Sequence, residues 1–220
     1  MSAVEMQLAG GTTHTLLLDA DGQVWAWGEN SLGQLSVGYT TPTPGYETEA
    51  VPVQDVSQPL DDVIAIAAGD GFSVAVRADG SVVAWGLNDV GQLGDGSTST
   101  VQNQPVSVLR ANDSTQLDKV IAVAAGDDWA MALDADGVVW TWGRAGTWRG
   151  NLGNTSAMAT PVQIDSSSLP LDGILRIAAG AEHGLALDVN GGVWAWGDNA
   201  SGQVGDRVGS ASYAGAIPVQ

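Results

Sequence analysis

Val63-Ile64-Ala65-Ile66-Ala67-Ala68-Gly69-Asp70-Gly71-Phe72-Ser73-Val74-Ala75-Val76-Arg77-Ala78-Asp79-Gly80-Ser81-Val82-Val83-Ala84-Trp85-Gly86 contains three apolar runs separated by glycine. The runs are rich in β-branched, small and aromatic residues and too short for stable helices, so they read as strands. Asp79-Gly80 between the second and third runs is a hairpin signal, because Asp-Gly tolerates the positive φ angles of a two-residue type I′ turn. The first run is apolar at odd and even positions alike, as is Val120 to Ala125. That pattern predicts a strand buried on both faces.

The same text recurs through the chain. Trp-Gly dipeptides stand at Trp27-Gly28, Trp85-Gly86, Trp142-Gly143 and Trp196-Gly197, and a glycine precedes each by a constant interval, at Gly11, Gly69, Gly126 and Gly180. Turn pairs lie between them at Asp21-Gly22, Asp79-Gly80, Asp136-Gly137 and Asn190-Gly191. A weaker fourth segment carries Pro52-Val53, Pro105-Val106, Pro161-Val162 and Pro218-Val219. Proline places that segment at a sheet edge. Four short strands in each unit of ~55 residues match one blade of a β-propeller. The reading is an all-β chain with almost no regular helix, built from propeller-type blades of four short antiparallel strands. It forms one domain, 1–220, with approximate repeats 1–61, 62–118, 119–172 and 173–220.

Composition narrows the function. Seven Lys and Arg against 25 Asp and Glu leave a net charge of -18, which opposes direct phosphate contact with nucleic acid and binding to anionic membranes. No apolar run approaches the ~20 residues of a membrane span, and Met1 to Glu5 lacks the basic start and apolar centre of a secretory signal. These residues assign no compartment. The chain has no cysteine, which removes disulfides, thiol nucleophiles and thiolate metal sites.

Each copy also holds a Gly-x-x-His-Thr-like stretch and a Gly-Gln-Leu-like one. The first copy has Gly10-Gly11-Thr12-Thr13-His14-Thr15 and Gly33-Gln34-Leu35; the fourth has Ala179-Gly180-Ala181-Glu182-His183-Gly184 and Gly202-Gln203-Val204-Gly205. With the Asp-Gly turn and Trp-Gly, this resembles the repeat of the regulator of chromosome condensation (RCC1) family over essentially the whole chain. The resemblance implies propeller blades, commonly seven in a ring, used mostly as protein-interaction platforms. Four copies are fewer than that ring needs, and three arrangements remain open: a piece of a longer propeller, a compact four-bladed ring, or an arc that self-associates with a second copy through incomplete terminal blades. The family's best-known activity, guanine-nucleotide exchange on a small GTPase, is the alternative function, and carbohydrate binding is another. The Gly-Trp-Arg-His-Thr motif of a related ultraviolet photoreceptor is absent.

No residues stand out as catalytic. His14 and His183 fill one repeat slot, occupied by Phe72 and Trp129 in the middle copies, so packing explains them better than proton transfer. Asp19-x-Asp21-Gly22 and Asp134-x-Asp136-Gly137 resemble the start of a calcium loop but run straight into a strand, and turn chemistry accounts for them. No enzyme activity, cofactor or metal site is expected. Trp25, Trp27, Trp85, Trp140, Trp142, Trp194 and Trp196 belong to the repeat strand and read as core. Trp148 belongs to no repeat slot. It sits in Gly143-Arg144-Ala145-Gly146-Thr147-Trp148-Arg149-Gly150, where the third copy has gained two residues. Trp148, Arg149 and Arg144 are the candidate partner-binding residues, because tryptophan and arginine are typical interface anchors. Asp70, Asp127, Asp128 and Glu182 fall on equivalent loops and predict an acidic face. The expected function is a non-catalytic protein-protein interaction module for an unidentified, basic protein partner.

Overall fold

The computed structural model describes residues 4–38, 45–56, 58–144, 157–162, 169–207 and 212–220. Among these, every regular element is a strand. The first sheet runs β1 (Gln7–Gly10), β2 (His14–Leu18), β3 (Val24–Glu29) and β4 (Tyr46–Pro52), followed by a two-strand ladder of β5 (Gln54–Asp55) and β6 (Gln58–Pro59). The second has β7 (Val63–Ala68), β8 (Phe72–Arg77), β9 (Val82–Leu87) and β10 (Val101–Ser107). The third has β11 (Val120–Ala125), β12 (Trp129–Asp134), β13 (Val139–Gly143) and β14 (Thr160–Pro161), and the fourth β15 (Ile174–Ala179), β16 (His183–Asp188), β17 (Val193–Gly197) and β18 (Tyr213–Pro218). Each sheet is an antiparallel meander in chain order, with the proline-bearing strand at its edge. This is the expected blade.

Consecutive sheets stack face to face, and the core lies between them as three layers. Leu16, Leu18, Val24 and Ala26 of the first sheet meet Ile66, Ala75 and Val83 of the second. Val74, Val76 and Val82 then meet Ala130 and Ala132 of the third, and Met131, Leu133 and Val139 meet Ile174 and Ala186 of the fourth. Ala75, Ala132 and Ala186, at one repeat position, leave room for the larger side chains of the preceding sheet, which lets neighbouring sheets interdigitate.

Indole N–H groups tie the layers together. Trp85 Nε1 donates to the Gln34 carbonyl of the preceding repeat at 2.8 Å, and Trp142 Nε1 to that of Gln92 at 3.0 Å. Both indoles are buried. Trp85→Phe is expected to cost about 2–3 kcal/mol, from the lost hydrogen bond whose acceptor stays behind and the space the smaller ring leaves in the core. Urea unfolding followed by circular dichroism measures it.

Three details depart from the sequence reading. The hairpins are not two-residue type I′ turns. The glycine alone takes positive φ, between +83° and +84° at Gly22, Gly80, Gly137 and Gly191, and Gly22 N–H donates to Asp19 O while Asp19 N–H donates to Gln23 O. This is a type I turn closed by a glycine bulge. Asp19 enforces it, since its Oδ1 accepts from the N–H groups of Asp21 and Gln23, both at 3.0 Å, which keeps Asp21 out of the left-handed region.

Burial of the first strand on both faces holds for β7 but not throughout. Ile121 is 53% exposed; a register shift leaves it outside the ladder, as the equivalent shift does Ile64, which instead packs against the core. The tryptophans divide likewise. Trp85, Trp142 and Trp196 are core, whereas half-buried Trp25, Trp140 and Trp194 donate to Asp19, Asp134 and Asp188 at 2.8–2.9 Å. Those carboxylates, read from sequence as turn residues, are hydrogen-bonded hairpin braces.

Candidate interaction face

Gly11, Gly69, Gly126 and Gly180 end the first strand of each sheet, and their loops converge on one axial concavity of about 280 Å³. The loops are locked to one another. Asp70 N–H donates to Asp127 O at 2.8 Å and Asp127 N–H to Ala181 O at 3.1 Å, so adjacent repeats share backbone bonds around the axis. The residue after each Trp-Gly joins the same end: the N–H groups of Glu29, Leu87, Arg144 and Asp198 donate to Thr13, Gly71, Asp128 and Glu182 at 2.8–3.0 Å.

The result is an end surface carrying Glu29, Asp70, Asp127, Asp128, Glu182 and Asp198. Asp70 and Asp127 are exposed. The Ser31 and Thr13 hydroxyls donate to Glu29 and, against the opposing effect of burial, hold its carboxyl below the usual glutamate range, helped by proximity to His14. Among the described residues the cation on these loops is Arg144, which pairs with Asp128. The sequence-predicted acidic loops are therefore brought together.

Of the candidate anchors, Trp148 and Arg149 lie outside the described residues. Arg144 is placed at the rim of the acidic end, its guanidinium side chain 41% exposed. The histidine slot is a junction between repeats. His14 is 3% exposed, and its Nε2 lies 2.8 Å from Ser73 Oγ in the second repeat. Ser73 donates its own hydroxyl proton to Gln34 O at 2.9 Å, so His14 supplies the Nε2–H of this contact. Trp129 in the same slot donates to Ala181 O of the next repeat at 2.8 Å. Packing, as expected, explains the slot.

Sequence reading missed the brace of the Gly-Gln-Leu loop. Asn30, Asn88 and Asn199 are completely buried, and each Oδ1 accepts the N–H of the residue five positions on, Leu35, Leu93 or Val204, at 3.0–3.1 Å. The signal was present, because asparagine stands two residues after the Trp-Gly glycine in three copies. The third copy has Ala145 there. The extended segment with Trp148 and Arg149 is thus the one whose sequence omits the repeat's internal brace.

Stacked four-stranded sheets whose glycine loops meet on one axis define a propeller-type repeat protein. The sequence matches the RCC1-like domain over residues 1–220, and the chain belongs to that family. The human protein named E3 ubiquitin-protein ligase HERC2 is 32% identical over 201 residues, covering 90% of this chain and 4% of HERC2. The crystal structure of human WBSCR16 superimposes with a TM-score of 0.79 at 25% identity over 99% of this chain and 53% of that one. Prp20p of Saccharomyces cerevisiae, described with binding properties to Gsp1p and histones, gives 0.79 at 24% identity over 100% and 51%. The chain therefore spans a small part of HERC2 and about half of each of these structures.

Proposed function

We propose that this RCC1-like domain is a non-catalytic platform that binds a basic protein through its acidic end, with the Trp148-Arg149 segment as a directed anchor. The observation that carries the reading is the rigid convergence of Glu29, Asp70, Asp127, Asp128, Glu182 and Asp198 on loops that hydrogen-bond to one another. A fixed array of one charge sign steers an oppositely charged partner and needs no ordering on binding. Trp148 and Arg149 add apolar area and donors of the kind that dominate interface energetics. The mention of histones, which are basic, for Prp20p is consistent with such a partner.

The test is affinity capture with mass spectrometry from the source cells, using the wild-type chain, Asp70→Lys with Asp127→Lys, and Trp148→Ala with Arg149→Ala. The expected result is a basic protein captured by the wild type, whose affinity falls about tenfold or more in each double variant and weakens with added salt. Capture insensitive to both pairs of changes, or accelerated nucleotide release from a small GTPase by the purified chain, would overturn the reading.

A further inference from the structure

The four hairpin turns differ in one residue that changes their chemistry. The position before the turn glycine holds Asp21, Asp79 and Asp136 in the first three repeats and Asn190 in the fourth. All four residues are exposed. Asp21, Asp79 and Asp136 are so although a further sheet packs on each of their repeats, and the exposure of Asn190 is therefore a property of the repeat position. Asparagine is among the chemically labile residues. A following glycine favours loss of its amide, because no Cβ hinders the approach of the glycine nitrogen to the preceding side chain.

Among the described asparagines the fold leaves this reaction to Asn190. Asn30, Asn88 and Asn199 are completely buried, and a main-chain N–H holds the carboxamide oxygen of each. Asn103 is half-buried, donates to the Gly38 carbonyl at 3.3 Å and precedes Gln104. Asn112 is exposed but precedes Asp113. The Asn190 carboxamide makes no hydrogen bond among the described residues. Its own N–H and that of Gly192 donate to Asp188 Oδ1 at 2.8 and 2.9 Å, and the Gly191 N–H donates to Asp188 O at 3.1 Å. That last bond is the restraint on the reacting nitrogen, and it lies in an exposed turn, where local opening costs least.

We propose that Asn190 is a site of spontaneous deamidation in the folded chain. The Gly191 nitrogen attacks Asn190 Cγ; the new C–N bond closes a succinimide, and the side-chain amide leaves as ammonia with the proton from Gly191. Water then opens the ring. Opening at Cγ restores the main chain with aspartate, and opening at the main-chain carbonyl leaves an isoaspartyl link that is one methylene longer. The sum is one water consumed and one ammonia released. Aspartate suits a turn the chain already builds, since the Asp21 and Asp136 N–H groups donate to Asp19 and Asp134 Oδ1 at 3.0 Å. The longer link shifts Gly191 and Gly192 out of register with Asp188. This hairpin lies at the end of its sheet opposite the Gly180 loop, so the inference is independent of which partner the acidic end takes.

Incubation of the folded chain at neutral pH, followed by anion exchange and by peptide mapping with mass spectrometry, tests it; the same chain unfolded in urea is the reference. The expected result is a later-eluting, more acidic form whose first amide loss maps to Asn190, as two products of equal mass that separate by chromatography. Asn190→Gln should abolish that form, because its ring would need six members. Asn190→Asp should elute with it from the start and keep the wild-type urea midpoint, whereas the isoaspartyl product should unfold at lower urea. Amide loss that begins at another asparagine, or an Asn190 that reacts in urea and stays intact in the folded chain, would overturn the proposal.

Discussion

Replacing Gly69 or Gly126 by alanine is expected to lower stability by about 3 kcal/mol, whereas Gly10→Ala, one residue from the equivalent glycine of the first repeat, should change it by less than about 0.5 kcal/mol. Neither Gly69 nor Gly126 adopts positive φ, so backbone conformation does not demand glycine there. Space does. A Cβ at Gly69 falls 2.6 Å from the Gly126 carbonyl and against the Phe72 ring, and one at Gly126 falls 2.6 Å from the Gly180 carbonyl and against Trp129. The obstacles are the neighbouring repeat's backbone and a ring packed in the junction, so relief means prising two sheets apart. Gly10 has no heavy atom within 4 Å of its would-be Cβ. Gly180 should lie between these extremes, because the three atoms nearest its Cβ all belong to the half-buried ring of His183 rather than to neighbouring backbone. Urea unfolding midpoints of the four variants measure the series, and a Gly69→Ala chain within about 1 kcal/mol of wild type would show that the junctions are looser than these distances imply.

The same glycines explain why so much of the fold was legible. A blade cannot bury its faces alone, so every copy must repeat the residues that seat it against a neighbour. Gly69, Trp85 and Asp79-Gly80 therefore recur in register, and their spacing yields strands, edges and loops directly. What stayed hidden are contacts without a side-chain pair to betray them. The Trp85 and Trp142 indoles bond to main-chain carbonyls, and any residue supplies a carbonyl. The hairpin brace was half visible: copies with Asp19, Asp134 or Asp188 have tryptophan six residues on, whereas the second copy has Arg77 and Val83. Reading Trp25, Trp140 and Trp194 as core missed the carboxylates they serve. Of the candidate site, the equivalent acidic loops were readable from their offsets to Gly69, Gly126 and Gly180. Their mutual backbone bonds were not, since those depend on how sheets stack.

His14→Phe is expected to abolish a loss of stability that the wild-type chain suffers between pH 7 and pH 4. Burial lowers the His14 pKa from its ordinary 6.5 to about 4, against the opposing pull of the Asp70 and Glu29 carboxylates. Below pH 6.5 the unfolded chain takes up a proton that the folded chain refuses, so stability declines as pH falls, until the folded histidine also titrates near pH 4. The difference is worth about 3 kcal/mol over that window. Carboxylates contribute in a lower window: Asp19 and Asp188, held below the usual 3.8 by their hydrogen bonds, keep their stabilising charge above that value and lose it only as pH falls through their depressed values. Phenylalanine suits the site, because Phe72 fills the equivalent slot and is completely buried. Ser73 keeps its bond to Gln34 O, and the substitution also removes a buried Nδ1 that has no hydrogen-bond partner. At pH 7 the variant should therefore lie within about 1 kcal/mol of wild type. Urea midpoints taken from pH 7 to pH 4.5 should fall for wild type and stay level for His14→Phe. Parallel declines in the two chains would mean that His14 is protonated in the folded state and that its slot admits water.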